Sequence, residues 1–472
     1  MTDADVIIIG AGIAGLKAAA DLKEKGVSTL ILEARSRIGG RIFTEYSEIT
    51  NNHYDLGASW FHSTMENPVF DKFVNEWYKP INAKYDDSNI GIILNTETGS
   101  FPKDCNVGPI VDEMKYFVSK LDKDDTVQNS VVKYLKIKGN LLTSDEKKYA
   151  SALFKFAELM GGCRWDMISS KFAYGPFTGR DAFNTIGYDK VLDKIYPLNE
   201  NEKNIKLNTV VKSIEKLSGK SDKTILKITT KNGEEFTSKF VIVTIPLSLL
   251  KLSVENPNAE GAIIFKPELP EAITKKFSKT HFTTLGKVIV EFDEVFWPSN
   301  DKFLILSTPD DSEIDETKEY SITKFDDYSN SEDVKAFEFP CLVSNFNVVR
   351  GIPALMFLLP SQAMKQIESS SNPKEYGFQL IKPIIEKISE NSNIPKPKLV
   401  LTTNWGNDPY SRGAITANAP GDVLVNDALI DGFGDIRFAG EGTIYQGHCC
   451  AHGAYLSGER EAKIILEKLG EL

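Results

Sequence analysis

Three glycines near the N-terminus, Gly10, Gly12 and Gly15, have a spacing that suits the binding of a phosphate group. Glycine at the first position permits a tight turn, at the second it lets the backbone approach a pyrophosphate, and at the third it lets a helix pack closely on a strand. Glu33 follows about 20 residues later, where a carboxylate accepts hydrogen bonds from ribose hydroxyls and repels a 2′-phosphate. The pattern therefore predicts a dinucleotide site.

A site of this kind needs a strand, a helix and a second strand to position it, and the sequence predicts all three. Residues 6–9 are a continuous β-branched run, which is typical of a strand buried on both faces of a parallel sheet. A helix is predicted from Leu16 to Lys25, with a stop at Gly26, and a second strand over 28–32. The helix N-terminus supplies N–H groups and partial positive charge to the phosphates.

The rest of the chain alternates between helical and strand patterns and shows no internal repeat. The further predicted elements are helices over 111–121 and 145–160, strands over 205–211, 224–230, 240–244, 284–292, 399–404 and 436–440, and a final helix over 450–469. An acidic, polar segment, 308–338, predicts a solvated loop or insertion. The alternation indicates two interleaved domains. The first, which binds the nucleotide, is predicted over 1–80, 200–265 and 395–472, and the second over 81–199 and 266–394.

Composition and charge narrow the possible functions. The 472 residues carry 55 Lys and Arg against 66 Asp and Glu, so the net charge is −11. Nucleic-acid binders need a basic face, which this balance disfavours, whereas an acidic protein attracts small cationic ligands. No basic N-terminal region, membrane-spanning run or targeting sequence is recognisable, so a cytoplasmic location is expected. The sequence leaves the oligomeric state open.

Disulfide and metal chemistry are not indicated by the cysteines and histidines. The five cysteines show no C-x-x-C spacing, which disfavours a disulfide framework or a structural zinc site. His448 and His452 are four residues apart and would share one face of a helix. No third ligand falls at a convincing spacing, so no metal site is predicted.

Several motifs along the chain resemble those of the flavin amine oxidases. Segment 33–41 resembles their E-A-x-x-R-x-G-G-R motif, and segment 57–60 resembles their G-A-x-W motif. Segment 438–441 is similar to their F-A-G-E motif, and Trp405 with 408–414 is similar to a further segment beside the flavin. By this resemblance the residues that bind the cofactor are Gly10, Gly12, Ile13, Ala14, Gly15, Glu33, Ala34, Arg35, Gly40, Arg41, Gly57, Ala58, Ser59, Trp60, Val211, Trp405, Gly440, Glu441, Cys450 and Ala451.

The resemblance implies a fold, a cofactor and a reaction. The expected fold class is α/β, with a Rossmann-like FAD-binding domain interleaved with a mixed α+β substrate-binding domain of the amine-oxidase type. FAD is expected to be bound without a covalent bond, because Ala414 stands where monoamine oxidases carry the flavin-linking cysteine. The implied reaction passes a hydride from a carbon beside a substrate nitrogen to the flavin, after which dioxygen reoxidises the flavin and yields hydrogen peroxide.

Within the family, the fungal polyamine oxidases show the greatest similarity in detail, through residues 57–62, 67–68, 179–183 and 285–289. The implied substrate is a secondary amine of spermine, or of an N-acetylated spermine or spermidine. A fungal corticosteroid-binding protein belongs to the same subgroup, so a flavoprotein that chiefly binds an apolar ligand is the alternative. A histone-lysine demethylase is disfavoured, since neither a basic face nor a chromatin-binding module is recognisable.

Lys287 and His62 are the implied catalytic residues. Lys287 resembles the family lysine that holds a water near the reactive flavin nitrogen, and burial would bring such an amine closer to neutrality. A solvent-facing lysine on an alternating strand is the other interpretation. By resemblance His62 lines the substrate tunnel and contacts an amine, although a single histidine is more often structural.

The residues implied to bind the substrate are His62 and five others, Asp87, Trp165, Ile186, Ile415 and Cys450. Asp87 would attract a cationic amine, unless it is only a solvated loop carboxylate. Trp165 would make a cation–π contact, unless it only packs in the core. Ile415 and Cys450 stand where many members carry two aromatic rings around the substrate nitrogen, and Ile186 replaces a polar contact. These apolar replacements favour the apolar-ligand alternative.

Overall fold

The first strand of the chain, Val6–Ile9, is buried on both faces in the computed structural model. The structure describes residues 2–85, 87, 89–95, 99–100, 102, 105–173, 179–217, 225–307, 314–325, 333–422 and 426–471. Val6 and Ile8 pack into one hydrophobic core, and Ile7 and Ile9 pack into another on the opposite face. Burial on both faces is the physical reason for the uninterrupted apolar run.

The secondary structure of the described residues consists of strands and helices that alternate along the whole chain. The strands are β1 Val6–Ile9, β2 Thr29–Leu32, β3 Thr44–Tyr46, β4 His53–Asp55, β5 Trp60–Phe61, β6 Ala83–Tyr85, β7 Ile90–Ile93, β8 Ala182–Asn184, β9 Ile205–Lys206, β10 Val211–Leu217, β11 Ile225–Thr230, β12 Glu235–Ser238, β13 Phe240–Val243, β14 Ile264–Lys266, β15 His281–Thr283, β16 Gly286–Glu291, β17 Lys302–Ile305, β18 Cys341–Asn345, β19 Ala354–Leu359, β20 Leu399–Thr402, β21 Ile415–Ala417 and β22 Ile436–Phe438. The α-helices are α1 Ile13–Glu24, α2 Pro68–Lys72, α3 Gly108–Ser119, α4 Val127–Lys138, α5 Ser144–Phe154, α6 Ala157–Gly161, α7 Ser170–Ala173, α8 Asp189–Ile195, α9 Leu198–Asn201, α10 Leu247–Glu255, α11 Glu271–Thr274, α12 Phe346–Arg350, α13 Ser361–Ser369, α14 Pro373–Ser389, α15 Asn426–Asp431 and α16 Ala451–Leu469.

A five-stranded parallel sheet joins the beginning, the middle and the end of the chain. Its order is β22-β13-β1-β2-β9, and all its neighbouring strands are parallel. Helix α1 connects β1 to β2 and packs against α16. A four-stranded sheet of order β12-β11-β10-β14, in which only β14 pairs in parallel, packs in the core that contains Ile7 and Ile9. The carboxyl ends of β1 and β2 meet at one edge of the sheet, which is where the glycine motif and Glu33 lie.

A second large sheet carries Lys287. Its order is β20-β16-β19-β18-β17-β7, and its neighbours are antiparallel except for β17 and β7. Helices α13 and α14 pack on it, and every residue of β16 is buried. Lys287 itself is only 4% exposed, so the interpretation of a solvent-facing lysine is wrong. Helices α3 to α7 form a separate hydrophobic cluster next to this sheet.

The fold class is mixed α/β, as predicted, and the elements around the glycine motif are confirmed. Helix α1 begins at Ile13 rather than at Leu16. The strand predicted over 205–211 is wrong in its extent, because Asn208 takes a φ of 54° and separates β9 from β10. The helix predicted over 145–160 is two helices, because the chain tightens where the Phe156 N–H bonds to the Leu153 carbonyl.

The division into two domains stays a prediction. One detail of the sheets differs from its proposed boundaries: β20 pairs with β16 in the second sheet, although a boundary at residue 395 assigns it to the nucleotide-binding domain. The acidic segment 308–338 is described at residues 314–325 and 333–338 only. In the part of the chain that the structure describes, no helix combines the length and the apolar character needed to cross a bilayer.

Candidate active site

A cavity of about 1050 Å³ is lined by residues from both large sheets. Pockets for drug-sized ligands measure about 300–1000 Å³, so this cavity has room for a large ligand together with a smaller one. Of the residues predicted at the site, those that line it are Gly10, Gly12, Ile13, Ala14, Glu33, Ala34, Arg35, Gly40, Arg41, Gly57, Ala58, Ser59, Trp60, His62, Asp87, Val211, Lys287, Trp405, Ile415, Gly440, Glu441, Cys450 and Ala451. The structure therefore brings together residues that are up to about 440 positions apart in the sequence.

The three glycines of the motif differ in what a side chain would meet. A Cβ on Gly10 would lie 2.6 Å from Thr244 Oγ1, and a Cβ on Gly15 would lie 2.2 Å from the Gly10 carbonyl oxygen. Gly12 has an ordinary φ of −73°, and its nearest neighbour would be the Gly39 carbonyl oxygen at 4.0 Å. Gly10 and Gly15 are therefore required by the packing of the chain, whereas Gly12 keeps the cavity open for a ligand.

Glu33 lines the cavity beside the glycine motif and is only 3% exposed. Its Oε2 accepts a hydrogen bond from the Ala11 N–H at 2.7 Å, and its Oε1 accepts one from the Arg35 N–H at 2.8 Å. Each carboxylate oxygen has a second lone pair that can accept from a ligand hydroxyl. Arg35 bonds to both carboxylate oxygens of Asp408 and to Ser411, which fastens the loop after Trp405 beside this end of the cavity.

Arg41 and Glu441 form an ion pair of 3.0 Å in the middle of the cavity wall. Arg41 also donates to the Ala414 carbonyl oxygen, and Glu441 accepts from Thr416 Oγ1. Burial acts to raise the pKa of Glu441, but Arg41 and His448 outweigh it and hold that pKa below its usual value. The pair connects two of the family-like motifs through a buried ionic contact.

Lys287 is held by acceptors on the chain around the end of β4. Its Nζ lies 2.9 Å from the Asp55 carbonyl oxygen, 2.5 Å from the Gly57 carbonyl oxygen and 2.5 Å from Ser59 Oγ. The ammonium also lies 5.6 Å from the centre of the Trp60 ring. Burial lowers the pKa of Lys287 to about 8, although the charge of Asp55 acts in the opposite direction. The amine can therefore lose and regain a proton near neutral pH.

Asp55 is a buried acid that the sequence analysis missed. Burial raises its pKa to about 6, while hydrogen bonds from Thr44 Oγ1 and the Tyr188 N–H act to lower it. Asp55 lies two positions before the G-A-x-W segment, so no motif pointed to it. Lys287 bonds to the Asp55 carbonyl oxygen across 232 positions of sequence, so the proximity of the two residues becomes visible only in the structure.

His62 lies in the cavity wall beside Trp60, with ring centroids 6.3 Å apart and planes 26° from parallel. Its Nδ1 is 2.8 Å from Asp181 Oδ2, and Asp181 Oδ1 accepts a hydrogen bond from the Ser63 N–H. Asp181 also escaped the residue-level prediction, although it lies within the family-like segment 179–183. His62 is thus part of a dyad with a carboxylate.

Asp87 lines the cavity but is not a free carboxylate. Both of its oxygens accept hydrogen bonds from Arg180, whose guanidinium also stacks on the Tyr85 ring at 3.7 Å. The hydrogen bond and charge of Arg180 lower the pKa of Asp87. The neighbouring Asp86 lies outside the described residues.

Trp165, Ile186 and Gly15 do not line the cavity. Trp165 is 4% exposed and packs in the helical cluster of α3 to α7, where its backbone N–H donates to Glu158. Ile186 packs at the edge of the core between α1 and the parallel sheet. The packing interpretation is therefore the one that the structure supports for Trp165, and neither residue is part of the cavity wall.

The cavity is also lined by apolar side chains from several elements. Ile415 and Cys450 are among the lining residues. Other apolar lining residues, which were not predicted from the sequence, include Phe156, Leu159, Met160, Phe172, Leu285, Leu304, Leu342 and Leu358. Their patterns are those of ordinary core positions, so no local feature of the sequence distinguishes a cavity wall from a core.

Glu441, His448 and Cys449 offer ligand atoms within 4.8 Å of one another. All three contact Thr416 Oγ1, at 2.9 Å, 3.1 Å and 3.0 Å respectively, and Glu441 also pairs with Arg41. Hydrogen bonding thus accounts for the cluster. His448 precedes α16 while His452 lies on it, so the expectation that the two histidines share a helix face is wrong.

Comparison with known proteins gives a consistent result along the chain. The family model of the flavin containing amine oxidoreductases matches residues 13–87 and 131–466. The corticosteroid-binding protein of Candida albicans is 31% identical, over 98% of this chain and 96% of its own length. Polyamine oxidase 2 of Arabidopsis thaliana is 24% identical, over 99% of this chain and 90% of its own. The peroxisomal N(1)-acetyl-spermine/spermidine oxidase of Bos taurus is 26% identical, over 98% and 94%.

Proposed function

Because the chain belongs to the flavin-containing amine oxidoreductase family, we propose that it is a FAD-dependent oxidase of a secondary amine in a polyamine. The proposed substrates are spermine and N-acetylated spermine or spermidine, with dioxygen as the electron acceptor. Two relatives bear the names polyamine oxidase and N(1)-acetyl-spermine/spermidine oxidase and match this chain over nearly its whole length. The proposal also places the protein in the cytoplasm.

Several features of the cavity support FAD as the cofactor. The room at Gly12, the N–H groups at the start of α1 and the spare lone pairs of Glu33 suit a pyrophosphate and a ribose. When bound, FAD supplies the hydride acceptor and passes the electrons to dioxygen, which becomes hydrogen peroxide. Ala414 offers no nucleophile for a covalent flavin link, which supports non-covalent binding.

The observation that carries the proposal is the buried amine of Lys287 in the wall of a dinucleotide-sized cavity. Burial of a lysine inside a sheet is costly because desolvation disfavours the charged form, so a buried amine that lines a cavity supports a functional role. With a pKa of about 8, Lys287 can hold and release a proton at its Nζ. His62, across the Trp60 ring, offers a second group that can contact an amine.

A flavoprotein that chiefly binds an apolar ligand such as a corticosteroid is the second candidate. The apolar walls and the pairing of Asp87 with Arg180 favour it, since neither feature attracts a polycation. The Candida albicans relative, a corticosteroid-binding protein, is the specific observation behind it.

An absorption spectrum of the purified protein, followed by anaerobic titration, separates the two functions. We expect a flavin spectrum that spermine or N-acetylspermine bleaches, with hydrogen peroxide released once oxygen is admitted. A flavin spectrum that no amine bleaches, together with tight binding of a corticosteroid, would support the second candidate. A colourless protein that does not take up added FAD would contradict both.

A further inference from the structure

Asp181 is a half-buried carboxylate at the cavity wall to which the proposed reaction assigns no role. It lies one residue before β8, which pairs antiparallel with β5 in the register Phe61 to Ala182. That register places Asp181 opposite His62. The Thr64 side chain and N–H both bond to the Arg180 carbonyl oxygen and fasten the two segments together. The fold therefore holds the carboxylate in front of the imidazole.

The carboxylate decides which nitrogen of the imidazole carries the hydrogen. Burial acts to raise the pKa of Asp181, but the hydrogen bonds from His62 and the Ser63 N–H outweigh it, so the pKa lies below its usual value. An ionised carboxylate can only accept hydrogen bonds, so the hydrogen between Oδ2 and His62 Nδ1 belongs to Nδ1. In neutral His62 the other nitrogen, Nε2, then has a lone pair.

Nε2 is placed to meet a ligand. His62 lines the cavity, and within the described ranges its Nε2 has no hydrogen-bond partner. The ring stacks along Trp60, which also faces the Lys287 ammonium. A substrate nitrogen that carries hydrogen is a donor, and an acceptor at this place is its complement.

We propose that Asp181 is a positioning residue that fixes His62 in the tautomer with hydrogen on Nδ1, so that Nε2 accepts a hydrogen bond from the substrate nitrogen. The inference rests on the proposed amine oxidation. Other charged or titratable groups that act on the pair are Lys302, Cys450 and His452. Asp181 itself does not have to touch the substrate for this role.

The first test measures the tautomer without any substrate. The FAD-loaded protein is labelled with ¹⁵N-histidine, and the His62 signals are assigned by their loss in His62→Gln. We expect Nδ1 to show the shift of a protonated nitrogen and Nε2 that of an unprotonated one. In Asp181→Asn the amide can donate to Nδ1, so the pattern should reverse. Unchanged His62 shifts in Asp181→Asn would overturn the proposal.

The second test asks whether Asp181 acts through His62. Anaerobic flavin reduction by N-acetylspermine is compared in Asp181→Asn, His62→Gln and the double variant. We expect Asp181→Asn to be slower by about 10- to 100-fold, and the double variant to be no slower than His62→Gln. Asp293→Asn, an exposed carboxylate paired with Lys398, is the control and should react like the wild type. If the rate losses of the two single variants multiply in the double variant, the proposal is overturned.

The two tests fail in different ways. If the amine oxidase function is wrong, no amine reduces the wild-type flavin, and the nitrogen shifts still decide the tautomer. If only the role of Asp181 is wrong, amines reduce the wild-type flavin. In that case the His62 nitrogen shifts do not change in Asp181→Asn, or the rate losses of Asp181→Asn and His62→Gln multiply in the double variant.

Discussion

At the residue scale, the site depends on polar side chains whose hydrogen-bond partners are already in place. Lys287 is fixed by three oxygen acceptors, and His62 by one carboxylate. Side chains held in this way lose little conformational entropy when a ligand binds, so the site is preorganised for reaction. The same contacts explain how Asp55 and Asp181, which were not predicted as site residues, support Lys287 and His62.

Lys287→Met should slow anaerobic flavin reduction by about 100-fold while FAD stays bound, because the thioether fills similar space but cannot exchange a proton. Stopped-flow absorbance of the flavin gives the rate, and the absorbance ratio of flavin to protein gives the FAD content. Lys227→Met, on β11 outside the cavity, is the matched control and should reduce at the wild-type rate. A normal rate in Lys287→Met would remove this lysine from the mechanism.

Arg180→Gln should strengthen spermine binding by about two- to fivefold, because it releases the Asp87 carboxylate from its ion pair at the cavity wall. The effect is small because the pair is exposed. The dissociation constant is measured from the change in the flavin spectrum during titration. Asp87→Asn serves as the control, since it removes the carboxylate and should not gain affinity. Equal spermine affinity in Arg180→Gln and the wild type would argue against a cationic substrate at this position.

At the element scale, the start of α1 and the end of α13 place backbone groups where the cavity needs them. The N-terminus of α1 opens onto the cavity at Gly12. Glu368, in the last turn of α13, bonds to the Gly406 N–H and so holds the residue that follows Trp405. The Glu368 carboxylate thus connects α13 to the loop beside the cavity through a backbone N–H group.

Gly12→Val should abolish FAD retention and leave the fold intact, because a Cβ at Gly12 meets no protein atom closer than 4.0 Å. FAD content and the thermal unfolding of the apoprotein are the two measurements. Gly15→Ala is the contrasting variant, since its Cβ would lie 2.2 Å from the Gly10 carbonyl oxygen. It should destabilise the apoprotein by on the order of 1–3 kcal/mol. Full FAD loading of Gly12→Val would contradict the proposed phosphate site.

Glu368→Gln should reduce the pH dependence of stability between about pH 5 and pH 7. Burial raises the pKa of Glu368 to about 7 from an ordinary value of 4.5, against the hydrogen bonds of the Gly406 and Trp405 N–H groups. The folded state therefore keeps a proton that the unfolded state releases, and stability falls as the pH rises through this range. Over this pH range the free energy of unfolding should fall by on the order of 2 kcal/mol more in the wild type than in the variant.

Urea unfolding of the wild type and Glu368→Gln at several pH values measures this difference. Asp55, whose pKa is raised to about 6, acts in the same direction in both proteins and cancels in the comparison. Parallel stability curves for the two proteins would show that Glu368 does not titrate in this range.

At the scale of the whole molecule, one cavity is shared by the parallel sheet and the second sheet. A ligand that touches both stabilises their arrangement, and a ligand bound only to the folded state raises stability with its concentration. This couples cofactor occupancy to the stability of the chain as a whole.

Removal of FAD should therefore lower the unfolding temperature. FAD added at about 1000 times its dissociation constant should raise the free energy of unfolding of the apoprotein by about 4 kcal/mol. Scanning calorimetry of the apoprotein at increasing FAD concentration measures the effect. Gly12→Val should show no dependence on FAD. An unfolding temperature that does not change when FAD is added would show that the folded chain does not bind this cofactor.

The sequence by itself determined the β1–α1–β2 unit and the mixed α/β class. These depend on local rules, since β-branched runs, helix stops and glycines with required turns act over a few neighbouring residues. The spacing of Gly10, Gly12 and Glu33, together with the strands and the helix around them, predicted that the three residues share one site, and all three line the cavity.

Only the tertiary structure decided that Lys287 is buried, that Trp165 and Ile186 do not line the cavity, and that Asp87 is paired. It also decided that His62 meets Asp181 across the β5–β8 pair. The physical reason is that burial and charge pairing depend on contacts between segments about 100 to 400 residues apart, and sequence spacing carries no information about such distances.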